Sequence, residues 1–349
     1  MPVWNLLLAF LISVCLVPLN RWLSIKLGVV SIPRERDAHT KPTPRMGGLS
    51  IAISFMITTL IFMPFTTGID MRKALYIVGG ALVLTIVGVL DDIYQIKPWQ
   101  KMLGQFIAIM LAVFGGVSIR FLVWDEPGAM FTFVKVLNVA GTIFWTVGMI
   151  NAINLIDGLD GLSSGVSTIA AISFMLLAST NGNTLALLIA VSIAGSALGF
   201  LAHNFHPANI FMGDTGSMLL GYTLALVALE VGFEYLDPVC FLSPLIILAV
   251  PIFDTAYAII RRIVNRMPIT EADKNHTHHK LMRNGFKHRT AVLILYVFGA
   301  CFGMIGVLLS ITQDRKYIVM GAVVLCILIG LIWDRSGKKK EKKKVKEGK

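Results

Sequence analysis

The sequence predicts an all-α, polytopic membrane protein of about eleven transmembrane helices, and three observations predict it. Only 15% of the 349 residues are charged and 56% are hydrophobic, where a soluble domain carries about 25% charged residues. Mean hydropathy is +0.75. Apolar runs long enough to cross roughly 30 Å of hydrocarbon recur along the chain.

Hydropathy windows of about 19 residues place spans near 3–19, 47–64, 73–90, 102–119, 134–152, 165–180, 184–201, 216–231, 241–260, 290–311 and 317–333. The first run lacks a basic segment before it and a small-residue cleavage site after it, so it reads as an uncleaved helix, not a secretory signal. Lysine and arginine set the orientation. The segments 20–46, 91–101 and 261–289 and the tail from 334 hold 25 of the 31 basic residues, which marks that side as cytoplasmic. The N-terminus is then outside and the C-terminus inside. Residues 1–333 read as one membrane-embedded domain, with polar loops at 20–46, 91–101, 152–164, 202–217 and 261–289. Residues 334–349 form a Lys-rich, disordered cytoplasmic tail that accounts for much of the net charge of +11.

That tail suits anionic lipid. No aromatic residues alternate with its lysines, so no nucleic acid is expected as a partner. Cys15, Cys240, Cys301 and Cys326 lie within or beside apolar spans without metal-ligand spacing and read as small hydrophobes. All seven histidines fall on the predicted cytoplasmic side, together with Asp91, Asp92, Asp157, Asp160 and Asp214. The chemistry therefore faces the cytoplasm.

Five loops carry that chemistry. The first, "RERDAHTKPTPRMGG", sets Arg36, His39, Lys41 and Arg45 around two prolines ahead of a helix N-terminus. It suits a phosphate or, more plainly, serves as a positive-inside anchor. The second, "GVLDDIYQIKPWQK", places Asp91 and Asp92 at a helix end with Lys97 and Lys101 following. Adjacent carboxylates at a low-dielectric boundary call for a cation, and Mg²⁺ with substrate phosphates fits; a solvated helix end is the bland alternative.

The third, "NAINLIDGLDGL", puts Asn151 with Asn154, and Asp157 with Asp160, at a spacing of three, which places each pair on one helix face. Gly158 and Gly161 admit a close ligand or backbone. A turn capped by one Asp would explain less. The fourth, "HNFHPANIFMGDTGS", sets Asp214 between glycines before a helix, where an N-cap is its ordinary role. Convergence of the loops would bring three acidic clusters to one surface, as a divalent-metal diphosphate site requires. The fifth contains His276, His278 and His279 beside Arg283 and Lys287. Their spacing is too tight for a three-ligand zinc face, and hydrogen bonding to phosphate or sugar oxygens is the better reading.

"DAHTKPTPRMGG", "GVLDDIY", "NAINLIDGLDGL", "FMGDTGS" and "HTHHKL", in this order, resemble the polyprenyl-phosphate N-acetylhexosamine-1-phosphate transferase superfamily, over about residues 30 to 290. The peptidoglycan branch, phospho-N-acetylmuramoyl-pentapeptide transferase, typically has threonine where Arg45 stands and three consecutive histidines in the last loop. The His-x-His-His pattern and Arg45 resemble instead the undecaprenyl-phosphate N-acetylglucosamine-1-phosphate transferase branch (WecA/TagO type). An ion-coupled transporter is disfavoured because the midplanes look bare of charge and no inverted repeat is visible. The CDP-alcohol phosphotransferase signature lacks its Ala-Arg and later acids here.

The resemblance implies a Mg²⁺-dependent enzyme, with Mn²⁺ as a substitute, in the bacterial cytoplasmic membrane. It would pass N-acetylglucosamine 1-phosphate from UDP-N-acetylglucosamine to undecaprenyl phosphate and release UMP, starting a surface polymer such as teichoic acid or O-antigen. A homodimer is compatible with the family. By the same resemblance Asp214 is the principal metal ligand with Asp92 beside it. Asp91 is the base or phosphate-positioning carboxylate, and Lys101 neutralises phosphate. Asn151, Asn154, Asp157 and Asp160 line the cleft. Asn204 and Phe211 sit near uridine, His276, His278 and His279 touch the sugar phosphate, and Arg36, His39, Arg45 and Arg283 bind substrate.

Overall fold

The computed structural model describes residues 1–32, 42–119, 128–232, 238–265, 277–312 and 321. Twelve α-helices follow one another among them: α1 Pro2–Lys26, α2 Gly48–Phe62, α3 Met71–Tyr94, α4 Pro98–Phe114, α5 Ala129–Ile156, α6 Leu162–Thr180, α7 Thr184–Asn204, α8 Gly213–Gly232, α9 Pro238–Ile247, α10 Ala249–Val264, α11 Thr277–Arg283 and α12 His288–Ile311. A two-residue antiparallel pair, β1 Val30–Ser31 with β2 Thr43–Pro44, closes the base of the first loop.

Among the described residues, eight helices are long and apolar enough to cross a membrane, and α9 with α10 makes a ninth if the bent pair counts as one span. The protein is a multi-pass, all-α membrane protein. Two expected spans differ in form. The one at 102–119 is the 17-residue α4, which starts earlier, at Pro98, and is roughly 25 Å long at 1.5 Å per residue. The one at 241–260 is broken, with its two halves at 80°. Pro251 explains the break, since it cannot donate to the Ile247 carbonyl four residues back and its ring crowds that carbonyl. The span expected at 317–333, Gly321 apart, and the Lys-rich tail lie outside the described residues.

Local signals set the helix ends. The Asp70 side chain accepts from Lys73 N at 3.0 Å to cap α3, and Asn183 accepts from Ala186 N at 2.9 Å to cap α7. Gln95, in the left-handed region at φ 51°, ends α3. Pro98 then opens α4, where its missing N–H has no partner to lose.

Every residue of α8 is buried, which its apolar surroundings on all sides demand. It packs against α2, α3, α5, α6 and α7. Small residues allow this: a Cβ on Gly48 would collide with the Gly216 backbone, and one on Gly88 with the Thr215 backbone. The N-terminus of α8 is thereby pressed between the start of α2 and the end of α3. Hydroxyls and amides add specific links inside the bundle, among them Asn5 Nδ2 to Ser192 Oγ at 2.9 Å and Ser54 Oγ to the Ala9 carbonyl at 2.6 Å. Near the far end of α3 and α8, Lys73 Nζ lies 2.6 Å from Glu230 Oε1.

Candidate active site

The close approach of α2, α3 and α8 gathers the acidic residues of three loops at one end of the bundle. Asp91 and Asp92 come from the last turn of α3, Lys101 from the first turn of α4, Arg45 from the segment before α2, Asn154 from the end of α5 and Asp214 from the first turn of α8. One carboxylate oxygen from each of Asp91, Asp92 and Asp214 lies within 4.8 Å of the others.

The three carboxylates have different jobs. Asp92 Oδ1 accepts from Asp214 N at 2.9 Å, and its Oδ2 accepts from Thr215 N at 3.2 Å and Thr215 Oγ1 at 2.7 Å. It therefore caps α8 from a different helix, satisfying N–H groups that a helix start leaves unpaired. This capping does not take Asp92 out of the expected metal set: one of its oxygens still lies in the three-carboxylate group, with Arg45 Nε 3.3 Å from Oδ1. Nor is Asp214 the N-cap: the helix begins at Gly213, and Asp214 projects from its first turn, where the helix dipole favours an anion.

Asp214 is the hub. Arg45 Nη2 lies 3.1 Å from its Oδ1, Asn154 Nδ2 donates to that oxygen at 3.3 Å, and Lys101 Nζ contacts its Oδ2 while reaching Asp91 Oδ2 at 2.7 Å. Asn154 also donates to Ser217 Oγ at 2.8 Å. Asn151 is exposed one turn earlier, donating to the Val147 carbonyl at 2.8 Å. Among the described residues, Asp91, Asp92 and Asp214 offer only oxygens to a metal, a set that suits a hard cation such as Mg²⁺ over zinc.

Asp157 and Asp160 do not share a helix face as their spacing suggested. The helix stops at Ile156 and the chain turns through Gly161 at φ +77°, so the two side chains part. Asp157 caps the end of α5 beside the carboxylate centre. Burial pushes its carboxyl up to about 8, Asp214 adds to this, Arg45 opposes it, and Asp92 and Asp160 add further. Because the ordinary value is about 4, ionised Asp157 weakens the folded state. That cost grows as pH rises from about 4 to about 8 and then levels off. Asp157→Asn should accordingly raise the melting temperature in metal-free buffer, with a gain larger at pH 8 than at pH 5. A gain that does not change with pH would contradict this origin.

Asp160 turns the other way, its Oδ2 lying 2.7 Å from His206 Nδ1 and accepting from Ala208 N at 3.1 Å. The His206 ring stacks on His288 with centroids 4.0 Å apart. Asn204, expected near uridine, is 4% exposed and faces inward. Its Oδ1 accepts from Gly161 N and Ser164 Oγ, both at 3.0 Å, and its Nδ2 donates to the Ile210 carbonyl at 2.9 Å. It clamps the Asp157–Gly161 turn. Phe211 is half-buried, its backbone held by Pro44 and Gly47.

His278 and His279 sit on α11 with ring centroids 4.3 Å apart. His278 is buried against Gly158, where a Cβ would come 2.5 Å from its Nε2. Arg283 is exposed at the end of α11. Arg36, His39 and His276 lie outside the described residues. Sequence reasoning missed Thr215 and Ser217, although both directly follow Asp214 in "GDTGS". It also missed Tyr296, whose hydroxyl donates to the Gly161 carbonyl at 2.5 Å and which no neighbouring polar residue announces.

The sequence profile of "Glycosyl transferase family 4" matches residues 74–232. A Bacillus subtilis (strain 168) protein named "Probable undecaprenyl-phosphate N-acetylglucosaminyl 1-phosphate transferase" is 37% identical over 311 residues, 88% of this chain and 85% of the relative. The "Decaprenyl-phosphate N-acetylglucosaminephosphotransferase" of Mycolicibacterium smegmatis is 35% identical over 89% of this chain and 83% of its own. A "Phospho-N-acetylmuramoyl-pentapeptide-transferase" of Heliobacterium modesticaldum is more distant, at 30% over 88% and 97%. On the strength of this similarity the chain belongs to glycosyl transferase family 4, on its undecaprenyl-phosphate N-acetylglucosamine-1-phosphate transferase branch.

Proposed function

We propose that this protein transfers N-acetylglucosamine 1-phosphate from UDP-N-acetylglucosamine to undecaprenyl phosphate, giving undecaprenyl-diphospho-N-acetylglucosamine and UMP. One observation carries the reading: Asp91, Asp92 and Asp214 meet at one end of an apolar bundle with Arg45 and Lys101 bound among them. Both substrates are anions, so repulsion and alignment dominate the barrier. Arg45 and Lys101 offset the first. The Asp92 cap and the Asn204 clamp fix the surfaces that supply the second.

Asp91, Asp92 and Asp214 would hold Mg²⁺, or Mn²⁺ in its place, and the bound ion would supply charge neutralisation at the diphosphate. A lipid phosphate oxygen attacks the β-phosphorus and UMP leaves, so that one phosphoanhydride replaces another without ATP. Asp91 positions the acceptor phosphate in a single displacement. Asn151, Asn154 and Asp157 line the donor cleft, with Phe211 and Arg283 at its rim and His278 and His279 on the sugar phosphate. In this reading the chain has eleven spans, counting α4, the bent α9–α10 pair and 317–333. Its N-terminus is outside, its site faces the cytoplasm of a bacterial cell, and it acts in the cytoplasmic membrane at the start of a surface polymer. The exposed lipid-facing helices leave room for a homodimer.

The test supplies the purified protein with undecaprenyl phosphate, Mg²⁺ and radiolabelled UDP-N-acetylglucosamine, and in parallel with UDP-N-acetylmuramoyl-pentapeptide. Label in the lipid extract from the first donor alone, with stoichiometric UMP, is the expected result. Transfer from the muramyl donor alone would overturn the substrate assignment.

A further inference from the structure

Asp254 is an aspartate on the buried face of α10, 4% exposed, in register with buried Pro251 and Ala258. The opposite face presents Phe253, Tyr257, Ile260 and Val264, all exposed. Helix α10 is bent by 80° from α9 and leaves that apolar stripe exposed, as a helix facing lipid would. A carboxylate on the inner side of such a helix is costly unless hydrogen-bonded. Asp254 Oδ1 accepts from Thr277 N at 2.6 Å, at the first residue of α11. A second link runs parallel to it: Lys280 Nζ sits 3.8 Å from the centroid of the Tyr257 ring, a cation–π contact. Helix α11 is thus tied to α10 at two points one turn apart, and between them it carries His278, 2% exposed, onto Gly158 of the Asp157–Gly161 turn.

We propose that Asp254 is a positioning residue, whose carboxylate fixes the first turn of α11 and so holds His278 at the donor cleft, coupling that histidine to the lipid-facing helix. The effect on turnover rests on the reading of His278 as a sugar-phosphate contact. The requirement is geometric. An amide oxygen in the same place would accept the same N–H, whereas a methyl group would not.

The experiment compares Asp254→Ala, Asp254→Asn, His278→Ala and the Asp254→Ala/His278→Ala double variant of the full chain in lipid nanodiscs. Donor and acceptor are UDP-N-acetylglucosamine and undecaprenyl phosphate, and hydrogen–deuterium exchange over 277–283 is followed alongside. Asp254→Ala should lower kcat about a hundredfold, the scale of an ångström-level misplacement, with KM for undecaprenyl phosphate little changed and exchange in α11 accelerated. Asp254→Asn should restore most of both. In the His278→Ala background, Asp254→Ala should cost nothing more, because the two act through one contact. Full additivity with unchanged exchange would overturn the proposal, as would an Asn variant as impaired as the Ala variant. Absence of transfer by the wild-type protein would defeat the substrate reading, and the exchange rate of α11 in Asp254→Ala and Asp254→Asn would still decide the positioning.

Discussion

Asp214→Asn is expected to abolish transfer, lowering turnover by about three orders of magnitude or more, the scale of losing a principal charge at a metal-assisted phosphoryl site. The reason lies in connectivity. Asp214 is where Arg45, Lys101 and Asn154 converge, and it projects from a helix whose entire length is core. The fold should survive, since the substituted amide retains an oxygen for the Asn154 and Arg45 donors, and the backbone N–H that Asp92 caps is unchanged. The decisive measurement pairs label transfer with the thermal shift caused by Mg²⁺. Loss of both in a normally folded variant is expected, whereas an active Asp214→Asn enzyme would remove the metal role from this residue.

The second large effect concerns Asp92, and here the two substitutions should separate. Asp92→Ala leaves the Asp214 and Thr215 amides and the Thr215 hydroxyl without their acceptor. Losing a helix cap costs about 1–2 kcal/mol, and the displaced first turn of α8 carries Asp214 with it, so activity should fall at least about a hundredfold. Asparagine is as good a cap as aspartate. At Asp92, however, both oxygens accept and Asn supplies only one, so Asp92→Asn should fall between wild type and Asp92→Ala in melting temperature and in activity. An Asn variant that is stable yet as inactive as Asp214→Asn would make the metal, and not the cap, the main role of Asp92.

The membrane fold was legible because long apolar runs have few alternatives, and ten of the eleven expected spans fall on helices or on the bent α9–α10 pair. The acidic loops were legible too, since charges interrupting such runs stand out at once. What the sequence could not reveal was which oxygen meets which proton. Asp91 and Asp92 are adjacent and chemically identical, yet one reaches Lys101 and the other caps α8, a difference made by helical rotation of about 100° per residue. The spacing of Asp157 and Asp160 suggested a shared face only because a helix was assumed to continue through Gly158 and Gly161. Asn204 carried a motif that suggested a ligand contact, but its inward turn depends on a loop packing against a distant segment. Tyr296 and Asp254 act across chain separations that no local pattern encodes.

The capping of α8 by a residue of α3 also bears on how this protein can change over generations. The site's central carboxylates are continuous with the most deeply packed helix, held where Gly48, Gly88 and Gly213 leave no space for a side chain. A mutation there alters chemistry and folding together, so selection acts on both at once. Residues at the periphery, such as Asn151, Phe211 and Arg283, carry no such double burden. Escape from a competitive inhibitor should therefore arise at the periphery, and a compound whose contacts are confined to the Asp91–Asp92–Asp214 centre should meet resistance only slowly in serial passage.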